Sequence, residues 1–417
     1  MATMSHRRPR GEGASRGRSS SRSGVHARSL RAMNLSLILR RILAAPGDIT
    51  RAGLAQATGI TPATVSRLVD ELIGAGLVAE VAPSSDVTRG RPANRLVPAP
   101  NRALGLGLEL NVTSIDAALI DLDGRMVASA HVDGDFVDSD PAASMRMVAD
   151  AAHALVAEHL PEGASLIGTG LALPGLVSPE ALAFAPNLGW RDIPLGELLE
   201  PLADLAPRVV ANEADLGAYA VARPRPGVPC GPESFVFVTG EVGIGSGIVN
   251  GHELLSGAHG WSGEIGHICV DPNGPRCSCG ATGCLEAYVG LRALASRVGL
   301  GSSAGTAQIR AAAEARAEAR AAVGQAGAAL GRALAAIINA VDIPLVLLGG
   351  SVAELSDLLI DPLVEEISAR VLQAGWSHPS IEVIDDSYHL SVRGAAHKAM
   401  QSLVDDPISW TSPEDGD

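Results

Sequence analysis

The chain has 417 residues, enough for two or three domains, and a globular composition with only 3% aromatic residues. No apolar run reaches the length of a membrane span without a charge or a turn signal. No stretch resembles a signal peptide, so the five cysteines are not read as a secreted disulfide framework and a cytoplasmic protein is expected.

Charge divides the chain. Within residues 1–95, 15 Arg against six Asp or Glu give +9, and the formal total of −14 leaves −23 for the rest. A basic head on an acidic body suggests a nucleic-acid-binding head and a body kept off DNA. Residues 1–27 are Arg, Ser and Gly with almost nothing apolar, and a disordered tail is expected there. Its arginines either attract phosphate without specificity or form a solvated tail with no role.

A head is expected over 28–98. Leu35, Ile38, Leu39, Ile42 and Leu43 recur at helical spacing up to Pro46-Gly47. Thr50 caps a short helix that ends at Gly59. Thr61-Pro62 opens another, with Val65, Leu68, Val69 and Leu72 on one face. Thr64, Ser66 and Arg67 lie near its N-terminal, outward side. Two helices around a tight Gly turn match a helix-turn-helix. Residues 77–81 and 95–97 read as a two-stranded wing. Its tip, Arg89-Gly90-Arg91-Pro92, is flat enough to enter a minor groove. A three-helix protein-binding module is the alternative; the charge, the wing and its tip favour DNA.

From residue 104 strands alternate with helices. Residues 104–110, 114–122 and 126–132 read as a strand meander, followed by a helix over 142–159 and a strand over 166–173 that ends at Pro174-Gly175. A strand over 209–211 feeds Asn212 and a helix from Glu213. A second series starts at 234–238. It continues through helices around 307–341, a strand over 345–348 and a turn at Gly349-Gly350-Ser351. Gly243-Ile244-Gly245-Ser246-Gly247 is a weak phosphate signal and serves close packing equally well.

The stretch from Gly263 to Glu286 holds four of the cysteines. Cys277, Cys279 and Cys284 with His267 make a complete ligand set for a closed tetrahedral zinc site. Glu264 and Glu286 bracket it, so the metal would stiffen a loop that presents acceptors to something polar. Cys269, between Ile268 and Val270, reads as a buried small hydrophobe.

Together these motifs resemble the ROK family (repressors, open reading frames, sugar kinases), specifically its winged-helix repressors of the xylose and N-acetylglucosamine type. The resemblance rests on Glu-x-Gly-His at Glu264, on Cys-x-Cys-Gly-x-x-Gly-Cys-x-Glu from Cys277 to Glu286, and on Pro186-Asn187-Leu188-Gly189-Trp190 and the 239–247 turn. It implies a winged helix before an α/β, actin-like (ribonuclease-H-like) pair of lobes with a sugar cleft between them. The body would run over 99–417, with one lobe at about 99–225 plus the C-terminal helix and the other at about 226–390. It implies sugar contacts from Gly175, Asn187, Asn212, Glu213, Glu264, His267 and Glu286, and one structural zinc.

Two positions depart from the family's kinases. They carry Asp-x-Gly-Gly-Thr in the first phosphate loop, where this chain reads Glu109-Leu110-Asn111-Val112-Thr113. Val112 cannot take glycine's conformations. Their base Asp is Glu213 here. The expectation is therefore no catalysis. A sugar-responsive repressor is expected, a homodimer or homotetramer with Thr64, Ser66 and Arg67 on major-groove bases and Arg89 and Arg91 in the minor groove. A sugar kinase with an appended DNA-binding head, or a regulator whose sugar site has decayed, are the alternatives.

Overall fold

The computed structural model of the protein describes residues 19–82, 93–376, 379–384 and 389–411. The head comprises α1 (Ser19–Ala44), α2 (Arg51–Thr58), α3 (Pro62–Gly74) and the antiparallel pair β1 (Val78–Val81) and β2 (Arg95–Pro98). α1 starts at Ser19, earlier than the onset of order expected at Arg28. Once the packed segment from Leu35 to Leu43 has nucleated a helix, each further turn costs little. Thr50 accepts from the Gly53 amide, and Gly59 closes α2 at φ 70°. Thr61 caps α3 with Pro62 in its first turn. The wing tip, with Arg89 and Arg91, lies outside the described residues.

Lobe 1 contains β3 (Ala103–Leu110), β4 (Ser114–Asp121), β5 (Met126–Asp133), α4 (Pro141–His159) and β6 (Ser165–Leu173). It continues with β7 (Leu176–Val177), β8 (Ala181–Ala185), β9 (Trp190–Pro194), α5 (Leu195–Leu198), β10 (Pro207–Asn212) and α6 (Glu213–Ala222). Lobe 2 contains β11 (Phe235–Gly240), β12 (Ile244–Asn250), β13 (Glu253–Leu254), α7 (Glu286–Val289), α8 (Leu291–Arg297), α9 (Thr306–Ala315) and α10 (Ala317–Val341). It closes with β14 (Leu345–Gly349), α11 (Gly350–Glu354), α12 (Ser356–Arg370) and β15 (Ser380–Val383). α13 (Leu390–Asp405) and α14 (Ile408–Thr411) end the described chain.

The two lobes repeat one topology. The sheets run β10-β6-β3-β4-β5 and β13-β12-β11-β14-β15. In each, an antiparallel meander lies on one side and two parallel strands extend the other. The expected turn at 349–351 instead opens α11. α10 is long and apolar enough by composition to cross a membrane. Its Ala326, Leu330, Leu334 and Ile338 are instead buried in the lobe 2 core.

α13 ties the molecule together. It lies against the lobe 1 sheet so closely that a Cβ on Gly107 would sit 1.9 Å from the Val392 carbonyl oxygen. On its other side a Cβ on Gly394 would sit 1.8 Å from the Leu216 carbonyl oxygen of α6. Its last turns then join the head. Met400, Leu403 and Val404 share one buried core with Leu35, Leu39, Ile42 and Leu72. Ser36 Oγ donates to the Val404 carbonyl at 2.7 Å, and Arg40 pairs with Asp405 and donates to the Gly227 carbonyl. Arg225 donates back to the Leu43 and Ala44 carbonyls at 3.3 and 3.2 Å, so the C-terminus of α1 is held from the body.

Candidate functional site

The cleft between the lobes is lined by all seven residues expected to contact sugar. Lobe 1 supplies Gly175, Asn187, Asn212 and Glu213, and lobe 2 supplies Glu264, His267 and Glu286. Each is held by a local device. Asn212 ends β10 and caps α6: its Oδ1 accepts from the Ala214 amide at 2.8 Å, and its Nδ2 donates to the Gly175 carbonyl at 3.1 Å. Most of its polar capacity is therefore spent on the fold. Gly175 has φ 95°, and a Cβ there would meet the Phe184 carbonyl oxygen at 2.2 Å. Sequence patterning missed the small β7-β8-β9 sheet, which shapes this wall with Asn187 beyond its second strand.

Glu286 joins the cleft to the cysteine loop. One oxygen accepts from the Ile244 amide at 3.3 Å and the other from Ser278 Oγ at 3.1 Å. A Cβ on Gly243 would lie 2.4 Å from Glu286, and one on Gly247 2.5 Å from the Ala218 methyl carbon on α6. Close approach of side chain and helix accounts for these glycines. Glu264, by contrast, makes no side-chain hydrogen bond among the described residues and is free to accept from a ligand.

The ligand atoms of His267, Cys277, Cys279 and Cys284 all lie within 4.8 Å of one another. Cys279 and Cys284 sulfurs are 3.8 Å apart, and Cys277 Sγ is 3.8 Å from His267 Nδ1. A disulfide needs about 2.05 Å. Zinc with Zn–S bonds of about 2.3 Å sets tetrahedral sulfurs about 3.8 Å apart, so the spacing fits that ion. Burial, and then the neighbouring sulfurs of Cys279 and Cys277, push the Cys284 thiol up to about 12, a cost that a bound cation reverses. Gly283 lies so near the Asp271 carbonyl that a Cβ would sit 1.6 Å from its oxygen. The cluster can therefore hold a metal, with Nδ1 of His267 toward it and the rest of the ring on the cleft wall.

Cys269 is exposed rather than buried. It bridges Cys284 in extended backbone. Side chains alternate there, so Ile268 and Val270 pack on the core while Cys269 faces out.

A second feature went unseen in the sequence: a buried group of carboxylates beside the cleft. Glu109 is raised to about 8 by burial and then by Glu241, with its hydrogen bond from Ser391 partly offsetting this. Glu241 is raised to about 7 by burial and then by Asp116. Glu213 is raised well above the ordinary carboxylate value by burial and then by Glu109, and its Oε2 has no hydrogen-bond partner among the described residues. Asn111 Nδ2 donates to Glu241 and so bridges the first phosphate-loop position to the 239–247 turn. The signal in the sequence was Glu241 itself, a carboxylate within a Gly-rich turn.

These carboxyls make a stability prediction. Their folded values lie above the model-peptide value of 4.5, so their contribution is fully present below about pH 4.5 and is lost as pH rises through about 7 to 8. The melting temperature is expected to fall from pH 5 to pH 9. Glu109→Gln should flatten that fall, recovering on the order of a few kcal/mol at the alkaline end. An unchanged slope in the variant would remove Glu109 from the explanation.

In the head, Arg67 is exposed on α3, while Thr64 and Ser66 are half-buried. Thr64 Oγ1 is 2.9 Å from Thr61 Oγ1, and the Ser66 carbonyl accepts from Arg51 at 2.9 Å. Arg51 itself pairs with Asp70 and Glu80 at 2.7 and 2.6 Å and braces α2, α3 and the wing.

The profile of the ROK family matches residues 105–402, and that of the MarR family matches residues 36–89. The xylose repressor of Bacillus subtilis (strain 168) is 29% identical over 342 residues, covering 81% of this chain and 87% of that protein. A crystal structure of a ROK family transcriptional regulator, a homologue of the E. coli MLC protein, superposes with a TM-score of 0.69 at 25% identity. That match covers 90% of this chain and 97% of the other. A ROK family glucokinase from Streptomyces griseus, in complex with glucose and AMPPNP, superposes with a TM-score of 0.56 at 26% identity over 70% of this chain and 98% of its own. With a MarR-type winged helix in front and a matched sugar-kinase-like body behind, the chain belongs to the ROK family.

Proposed function

We propose that the protein is a sugar-responsive, DNA-binding transcriptional repressor of genes for carbohydrate uptake or catabolism, acting in the cytoplasm as a homodimer or homotetramer. The observation that carries this reading is the seating of the head on α13, the same helix that packs against α6 at the cleft. Glu264, Glu286 and the cleft edge of His267 accept from or donate to sugar hydroxyls, and the buried Glu213 oxygen gains a partner when a hydroxyl arrives. A zinc ion on His267 and the three cysteines supplies rigidity. His267 is thereby fixed in tautomer and orientation. A ligand that binds open and closed lobes differently then shifts the heads relative to paired half-sites.

The same geometry argues against phosphoryl transfer. The Asn111–Glu241 bond spans the two loops that would cradle phosphates, and Val112 is buried in the first of them. Glu109 and Glu241 line that region with carboxyls in place of the cations that hold phosphates. Burial and the neighbouring Glu109 raise Glu213 well above the ordinary carboxylate value, which favours its neutral form over the carboxylate that a base needs. The test pairs two measurements on the full chain. In gel shift on a duplex selected from a random library, one sugar of a panel should release the DNA. In a coupled assay with ATP, magnesium and the same panel, ADP release should stay at background. Turnover near the roughly 1–100 s⁻¹ of kinases would overturn the repressor-only reading.

Arg67→Ala should relax base preference on the selected duplex at a cost of about 1–3 kcal/mol, with little change on a scrambled one. Equal loss on both duplexes would make Arg67 a phosphate contact instead.

A further inference from the structure

A further cavity, of about 540 Å³, adjoins the cleft at Asn212, within the roughly 300–1,000 Å³ typical of small-molecule sites. Asn212 forms part of both walls. Opposite charges line the new cavity: Asp215 on α6 and Lys398 on α13, the only lysine in the chain. Asp215 is 5% exposed, and its Oδ1 has no hydrogen-bond partner among the described residues. Lys398 makes no ion pair within 4.0 Å among the described residues and lies 5.6 Å over the Tyr219 ring. Burial raises Asp215 to about 7 and lowers Lys398, so both groups lack the solvation that their charged forms need. A buried carboxylate oxygen without a hydrogen bond, its burial only partly offset by the charge of Lys398, points to a ligand group that completes it.

We propose that this cavity is a second polyol-binding site, which holds a neutral hydroxylated ligand between Asp215 and Lys398. Hydroxyls suit the pair because each one both donates and accepts. Neighbouring hydroxyls can donate to Asp215 and accept from Lys398 without adding charge. An anion would meet Asp215, and a cation would meet Lys398. The inference rests on the reading of the neighbouring cleft as a sugar site. The same chemistry has two sources: the next unit of an oligosaccharide that extends past Asn212, or a separate monosaccharide.

Calorimetry on the full-length protein separates these outcomes, with glucose, xylose, their β-1,4-linked disaccharides and glycine as probes. For an extended ligand, a disaccharide binds one per chain and tighter than its monomer. Asp215→Asn and Lys398→Met then each weaken it at least tenfold and leave the monosaccharide unchanged. For a separate ligand, two monosaccharides bind per chain and the variants lose one. Gly196→Leu is the companion variant, because it fills the cavity wall without touching either charge; a Cβ at Gly196 meets nothing within 4 Å. If Glu264→Ala abolishes sugar binding while Asp215→Asn and Gly196→Leu leave every isotherm unchanged, the cleft stands and the second site falls. If Glu264→Ala has no effect but Asp215→Asn does, the cleft reading fails alone. Sugar binding by none of the chains overturns both, and glycine binding that Asp215→Asn removes overturns the polyol assignment.

Discussion

Cys279→Ser protein is expected to lose its metal and its sugar binding together. Wild-type protein should carry about one zinc per chain, because one set of four ligands is assembled. Removing one thiolate leaves the sulfurs of Cys277 and Cys284 facing each other without a cation, in a loop with little other packing. Cys277 and Cys284 are buried, but the segment from Asp271 to Gly283 is mostly turns held by isolated bridges and single backbone bonds. His267 and Glu286 take their positions from this loop, His267 through Nδ1 and Glu286 through Ser278. The loss should exceed the roughly 10–100-fold typical of a missing second-shell partner. Metal analysis of the purified variant, with calorimetry on the sugar that releases DNA, checks both halves. Tight sugar binding by metal-free protein would separate the metal from the cleft.

The cluster of His267, Cys277, Cys279 and Cys284 was legible because its information is local: four side chains of metal-ligating type with glycines between them constrain the loop wherever it lies. The head was legible for a similar reason, since Thr50, Gly59, Thr61 and Pro62 act on their own neighbours. The buried carboxylates were not. Glu109 and Glu241 are 132 residues apart, and only the closing of lobe 2 on lobe 1 brings them together. Cys269 failed on period: an apolar triplet reads as buried throughout, whereas an extended bridge exposes its middle residue. The three-stranded sheet over residues 176–194 was hidden by short strands with Pro and Gly between them, which in sequence are indistinguishable from a loop. The early start of α1 reflects propagation from a packed segment, which composition alone does not reveal.

Glu264→Ala is the variant expected to sever sensing from DNA binding. Glu264 lies on the cleft wall, and its carboxylate makes no hydrogen bond among the described residues, so truncation orphans no hydrogen-bond partner there. Burial raises its pKa, and the nearby imidazole of His267 partly offsets this. A ligand hydroxyl therefore gains a partly desolvated acceptor. Two hydroxyls on one carboxylate contribute about 3 kcal/mol or more, so the variant should bind the effector at least about a hundredfold more weakly. Unliganded DNA affinity should hold. The core that seats the head on α13 contains no residue of the cleft, and the contacts of Ser36 and Arg40 with Val404 and Asp405 are untouched. In gel shift, the variant should bind the selected duplex like wild type and stay bound at sugar concentrations that release wild type. Parallel loss of DNA affinity would mean that Glu264 supports the fold. Normal release by sugar would move the effector out of the cleft, and with it the route through α6 and α13 to the head.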